Sequence, residues 1–174
     1  MKRCLFIVPI VILILLVACG GNGDGNGTGP NTQLRLKIEP SGQTIGVNAT
    51  ATFSVKIENA VDLFAFSGEI VFDSTLIELP ENPITEGEFW NNEALKSSIN
   101  EPGCLNVCIG LTQTDGFDGI DRDGTLFYFT LKGVGIGVSS ITINPGTLEL
   151  IDENAVPIYD FEEIEVSGGV LTIE

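Results

Sequence analysis

The chain has 174 residues, with 24 Asp and Glu against 8 Lys and Arg, no histidine, and 43% apolar side chains. That length and apolar fraction suit one domain with a real core. The absent histidine removes Ser-His-Asp and Cys-His catalysis and His-ligated zinc. A net charge of −16 excludes nucleic acid as a natural partner and sets the chain against anionic headgroups.

Met1-Lys2-Arg3 gives a positive start, and Cys4 to Ala18 is an unbroken apolar run of 15 residues. That is short for a mature membrane span and right for the hydrophobic region of a secretory signal. The run closes on Leu16-Val17-Ala18-Cys19, followed by Gly20. This resembles the lipobox of bacterial lipoproteins, which implies cleavage before Cys19, acylation of its sulfur, and a lipid anchor at the membrane. The expected location is the cell envelope, with the domain outside the cytoplasm. With glycine after Cys19, the outer membrane is the expected destination in a Gram-negative host. Residues 1–18 are thus a signal peptide and 19–32 a lipidated cysteine with a glycine-rich linker. Gly20 to Asn31 (GGNGDGNGTGPN) has little to bury and reads as a flexible tether with a reach of roughly 20 Å.

From Gln33 to Glu174 the apolar period is two. Leu34, Leu36 and Ile38 alternate with Arg35 and Lys37; Phe53, Val55 and Ile57 alternate with Ser54 and Lys56. Phe64, Phe66, Gly68, Ile70 and Phe72 alternate with Ala65, Ser67, Glu69 and Val71. Each run predicts a strand with one face inward. Further strands are expected over residues 75–79, 105–111, 125–133, 139–144, 147–151 and 164–173. Turn formers separate them, as in Glu39-Pro40-Ser41-Gly42, Asn144-Pro145-Gly146 and Ser167-Gly168-Gly169. Short, regularly spaced strands predict an all-β sandwich or jelly roll. Only residues 86–99 leave room for a helical turn, around Phe89 and Trp90.

Phe64-Ala-Phe-Ser-Gly-Glu-Ile-Val-Phe-Asp73, followed by Ser74-Thr-Leu-Ile-Glu-Leu79, resembles a signature of cohesin domains, with Ser74 where that family favours proline. Asp123-Gly-Thr-Leu-Phe-Tyr-Phe129 and Val166-Ser-Gly-Gly-Val-Leu-Thr-Ile173 resemble its later landmarks, in order. The resemblance covers the mature domain and implies a nine-stranded jelly-roll sandwich. It also implies a protein partner, since cohesins grip calcium-loaded dockerins on polysaccharide-degrading enzymes. The dockerin face of the family maps by register onto Leu63, Ala65, Ser67, Glu69 and Val71, with Asn106 and Cys108 on a neighbouring strand. Ala65 and Ser67 stand where well-studied dockerin binders place Asn and Asp. The alternative reading of these residues is an ordinary solvent-facing sheet.

Asp115-Gly-Phe-Asp118-Gly-Ile-Asp121-Arg-Asp123 is the densest carboxylate cluster. Asp118, Asp121 and Asp123 are the candidate calcium ligands, although the EF-hand spacing is not met and Arg122 interrupts them. The alternative is an acidic turn, and no cofactor is required by anything else in the chain. Cys104 and Cys108 would lie about 13 Å apart along a straight strand, too far for a bridge that needs about 7 Å. No intrachain disulfide is expected. Acidic pairs such as Glu86/Glu88 and Glu162/Glu163 sit where solvated charge is ordinary, so no enzyme is expected. Trp90 is the single candidate platform for a polysaccharide, in the rival reading as a carbohydrate-binding module. A purely structural envelope lipoprotein is the third reading.

Overall fold

A computed structural model describes residues 33–112, 118–159 and 163–174. The signal segment, Cys19 and the glycine tether lie outside the described residues, as do Asp115 and its neighbours from 113 to 117. The domain is a two-sheet sandwich. Its described strands are β1 (Arg35–Glu39), β2 (Gly42–Ile45), β3 (Thr50–Glu58), β4 (Ala65–Val71), β5 (Ile77–Glu78), β6 (Ile84–Glu86), β7 (Ala94–Glu101), β8 (Cys104–Leu111), β9 (Gly124–Gly133), β10 (Gly137–Ile143), β11 (Glu149–Ile151), β12 (Glu165–Ser167) and β13 (Gly169–Ile173). The first sheet runs β12-β1-β3-β9-β5, with β6 also on β9. The second runs β2-β13-β10-β4-β8-β7, with β11 also on β4.

Thirteen described segments exceed the nine strands expected, in part because strands break as they change sheets. At Pro40-Ser41 the chain leaves β1 in the first sheet and enters β2 in the second. At Gly168 it does the same between β12 and β13. The two segments run parallel to each other in both sheets. Sandwich corners need such bends, and the second bend needs its glycine. A Cβ on Gly168 would come within 2.5 Å of the Ile141 carbonyl oxygen.

Period-two burial follows from the pleat. Leu36, Ile38, Phe53, Val55, Phe127, Phe129 and Leu131 from the first sheet meet Phe66, Ile70, Leu105, Ile109, Ile141 and Leu171 from the second in one buried core. Phe66 and Phe127 join the layers at 5.5 Å between ring centroids, and Phe53 stacks on Phe129 at 5.8 Å. Such pairs add packing beyond area burial. In β9 the alternation is interrupted, because Thr125, Leu126 and Phe127 are all buried. The register with β3 shifts between Val55 and Lys56, making Leu126 an extra residue. A short 3-10 turn, Glu88–Trp90, packs over that bulge. The Leu126 carbonyl accepts both the Gly87 N–H at 3.0 Å and the Trp90 Nε1–H at 2.8 Å. Among the described residues, no helix is long and apolar enough to cross a membrane.

Candidate partner-binding face

The outer surface of β11, β4, β8 and β7 assembles in four cross-strand rows. Ile151, Ala65, Gly110 and Leu95 form one, and Glu149, Ser67, Cys108 and Ser97 the next. Glu69, Asn106 and Ile99 form the third, and Thr142, Val71, Cys104 and Glu101 the fourth. Residues directly opposite share a face of a sheet, so these side chains form one outward surface. Ala65, Ser67, Glu69 and Asn106 therefore stand together.

The surface is shallow at its centre and apolar at its margin. Opposite Ala65 only glycine fits, since a Cβ on Gly110 would lie 2.5 Å from the Ala65 Cβ. Leu95 and Ile99 on β7 are 69% and 64% exposed and stand two rows apart at the margin of this face. A groove of about 250 Å³ runs over Ser67, Ser97, Ile99, Asn106 and Cys108, and Thr147 borders it. Thr147 belongs to a 3-10 turn, Pro145–Thr147, inserted where the chain passes from β10 to β11 along the edge of β4.

A hydrogen-bonded chain fixes the polar centre. The Cys104 thiol donates to Glu69 Oε1 at 2.7 Å and Asn144 Nδ2 donates to Glu69 Oε2 at 2.5 Å. Asn106 Nδ2 donates in turn to the Cys104 sulfur at 3.3 Å. Donors on both carboxylate oxygens hold the Glu69 carboxyl below its ordinary range, the thiol first and then the amide. Burial and the Glu69 carboxylate push the Cys104 thiol up to about 12. It stays protonated at neutral pH and does not act as a nucleophile. Cys104 and Cys108 are both free, with Cys108 exposed beside Ser67 and Ser97.

Three expectations change. Leu63 is 0% exposed, not part of the outward strip. Asp62 takes a left-handed conformation (φ 56°), and Leu63 makes an isolated bridge to Ile120 before β4 begins. The alternation therefore starts only at Ala65. Trp90 is 0% exposed as well. Its ring meets Phe89 at 4.8 Å between centroids and its N–H is held by Leu126, so it offers no platform to a polysaccharide.

The third correction concerns Asp118, Asp121 and Asp123, which do not converge. Asp123 Oδ1 accepts the Asn59 N–H and Asp121 Oδ1 accepts the Asp62 N–H, each at 2.6 Å. They fasten the turn between β3 and β4, whose Asn59 and Asp62 both have positive φ, and Asp118 is simply exposed. Arg122 donates to the Glu88 carbonyl at 3.0 Å, to the Phe89 carbonyl and to Asn91 Oδ1 at 3.1 Å. It ties this loop to the turn that carries Trp90. Among the described residues, the carboxylates that do come together are Asp62, Asp152 and Glu153, within 4.8 Å. Asp152 Oδ1 there accepts the Asn154 and Val156 N–H groups, closing its own turn.

Sequence reasoning missed Leu95, Ile99, Glu101, Glu149 and Asn144 on this face. The alternation Leu95-x-Ser97-x-Ile99 was a signal for a strand there. Asn144, 75 residues from Glu69, carried none.

No model of a known protein family matches the chain, and no curated protein matches it. Solved structures do. The non-cellulosomal cohesin from the hyperthermophilic archaeon Archaeoglobus fulgidus superposes with a TM-score of 0.63 at 18% identity, over 82% of this chain and 91% of that one. The third cohesin ScaC of Acetivibrio cellulolyticus, in complex with a dockerin, gives 0.64 at 19% identity, over 80% and 98%. A type I cohesin from a cohesin–dockerin complex of Clostridium thermocellum gives 0.63 at 17% identity, over 81% and 93%. The fold of this chain is the cohesin fold.

Proposed function

We propose that this chain is a non-catalytic, lipid-anchored adaptor that binds a dockerin-like protein through the outer face of β4, β8 and β7. The observation that carries the reading is the pair Leu95 and Ile99, more than half exposed beside a groove with no bulky side chain at its floor. An exposed apolar margin around a small-residue centre is a surface suited to a protein partner. The likeness in fold supports the choice of partner, since two of the similar cohesins were solved with dockerins. In this reading Cys19 holds the protein in the cell envelope, the glycine tether lifts the domain from the lipid, and the captured protein serves polysaccharide breakdown. The domain itself works without a cofactor.

Affinity capture from host envelope extract, run with calcium and then with EDTA, tests the reading. A dockerin-bearing protein is expected to be held in calcium and released by EDTA, and should be lost when Ile99→Asp replaces the bait. Capture that survives both Ile99→Asp and Leu95→Asp would overturn the assigned face. Retention of polysaccharide alone would overturn the adaptor. Cys19→Ala is expected to release the protein from membranes at high salt, and continued partitioning would remove the anchor.

A further inference from the structure

The distribution of cations over the domain separates its two outer faces. Arg35, Lys37, Lys56 and Lys132 all stand on the outer face of the first sheet, and each has a glutamate within 4.0 Å. Arg122 is spent on the carbonyls of the Trp90 turn. Lys96 lies on β7 in register with the buried Ile109, so it points to the opposite side of the strand from Leu95 and Ile99. Among the described residues, no lysine or arginine stands in the four rows of the candidate face.

Carboxylates do stand there. Glu149 lies beside Ser67, Glu69 is one row further, and Glu101 is one row further again, opposite Cys104. They cross the face on a diagonal from β11 to β7. Glu69 is satisfied by Cys104 and Asn144. Glu101 and Glu149 are exposed and make no ion pair or side-chain hydrogen bond among the described residues. A partner seated over Leu95 and Ile99 would cover this diagonal too. Removing a carboxylate from water without a counter-charge is strongly unfavourable.

We infer that the protein partner presents lysine or arginine side chains flanking an apolar contact, and that Glu101 and Glu149 select it by charge. The inference rests on the adaptor reading and adds the chemistry of the surface that fits. Charge complementarity of this kind acts on encounter rate and on rejection of wrong partners. It weakens with ionic strength.

Calorimetry with the full chain in mild detergent provides the test. The probes are the purified, calcium-loaded dockerins of the Clostridium thermocellum and Acetivibrio cellulolyticus complexes. Each is used unchanged and with its exposed contact-helix positions converted to lysine or to glutamate. Lysine-bearing dockerins are expected to bind at least about tenfold more tightly than glutamate-bearing ones at low salt. Glu101→Gln with Glu149→Gln should erase most of that preference, and Glu101→Lys with Glu149→Lys should invert it. Unchanged thermal midpoints would show that the variants remain folded. Binding that ignores salt, probe charge and both double variants overturns the inference and leaves the adaptor reading standing. Failure of every probe to bind, whatever its charge, overturns the dockerin reading itself and the inference with it.

Discussion

The two outer faces of this sandwich solve the problem of exposure in opposite ways. On the first sheet, long charged side chains cover the strands and neutralise one another. Arg35 reaches Glu165 at 2.8 Å, Lys37 reaches Glu58 at 2.6 Å, and Lys56 reaches Glu39 at 2.6 Å. Lys132 completes the set with Glu78 at 3.9 Å, so each of the four cations described on that face has a glutamate partner. On the second sheet the rows through β4, β8 and β7 carry small side chains, the exposed aliphatics Val71, Leu95 and Ile99, and a diagonal of carboxylates without cations. The same backbone architecture therefore bears one self-sufficient surface and one that another molecule could complete. Function in such a fold is decided by what the outward register carries, since the inward register only builds the core.

The largest test of this contrast removes what covers one end of the first sheet. Trp90 closes that end together with Phe89, and both are fully buried. Trp90→Ala leaves a cavity and orphans an acceptor at Leu126, and it is expected to cost about 3–5 kcal/mol. Urea unfolding monitored by far-UV circular dichroism measures it. A cost below about 1 kcal/mol would mean that the indole is a surface group after all and would reopen the saccharide reading. Binding to the second sheet should be unchanged in whatever fraction stays folded.

A smaller effect belongs to the polar centre of the second face. Glu69 has a folded value below its ordinary 4.5 because Cys104 and Asn144 donate to it. Its contribution is present above that ordinary value and disappears as pH falls through the depressed one. Glu69→Gln should therefore lower the urea midpoint at pH 7, and the gap to the parent protein should close as pH falls below 4.5 and through the depressed folded value. A gap that widens on acidification would mean that the carboxylate is not held by those donors. The Glu69→Gln protein would also show whether the face needs this charge for partner binding or only for its own order.

Legibility in the sequence followed the same division between inward and outward positions. Strands β1, β3, β4, β8 and β9 are readable because their inward residues are large and apolar and alternate with outward ones that are mostly polar or small. Strand β7 was missed because its polarity is reversed. Its apolar Leu95 and Ile99 face outward, and its other side carries Lys96, Ser98 and Asn100 beyond the edge of the core. Ala65, Ser67 and Glu69 could be grouped from period two alone, and Asn106 joined them only through the resemblance to cohesins. Leu63 could not, since a single left-handed residue at Asp62 resets the phase without any glycine to announce it. The acidic run at Asp118–Asp123 looked like a cation site because composition cannot tell whether carboxylates face one another or face backbone amides. Here Asp121 and Asp123 face the amides of Asp62 and Asn59.

The smallest expected effect sharpens the contrast from the other side. Lys37 and Glu58 are each about a third exposed, where water already solvates both charges. An exposed pair of this kind contributes about 0–1 kcal/mol, and less as salt rises. Lys37→Ala should therefore shift the urea midpoint barely at low salt and not measurably at high salt. Affinity for any partner of the second face should stay as it was. A loss above about 2 kcal/mol would show that the charges of the first sheet act as a cooperative network. That outcome would make the first face a structural element in its own right, and the distinction between the two faces would then rest on the missing cations of the second alone.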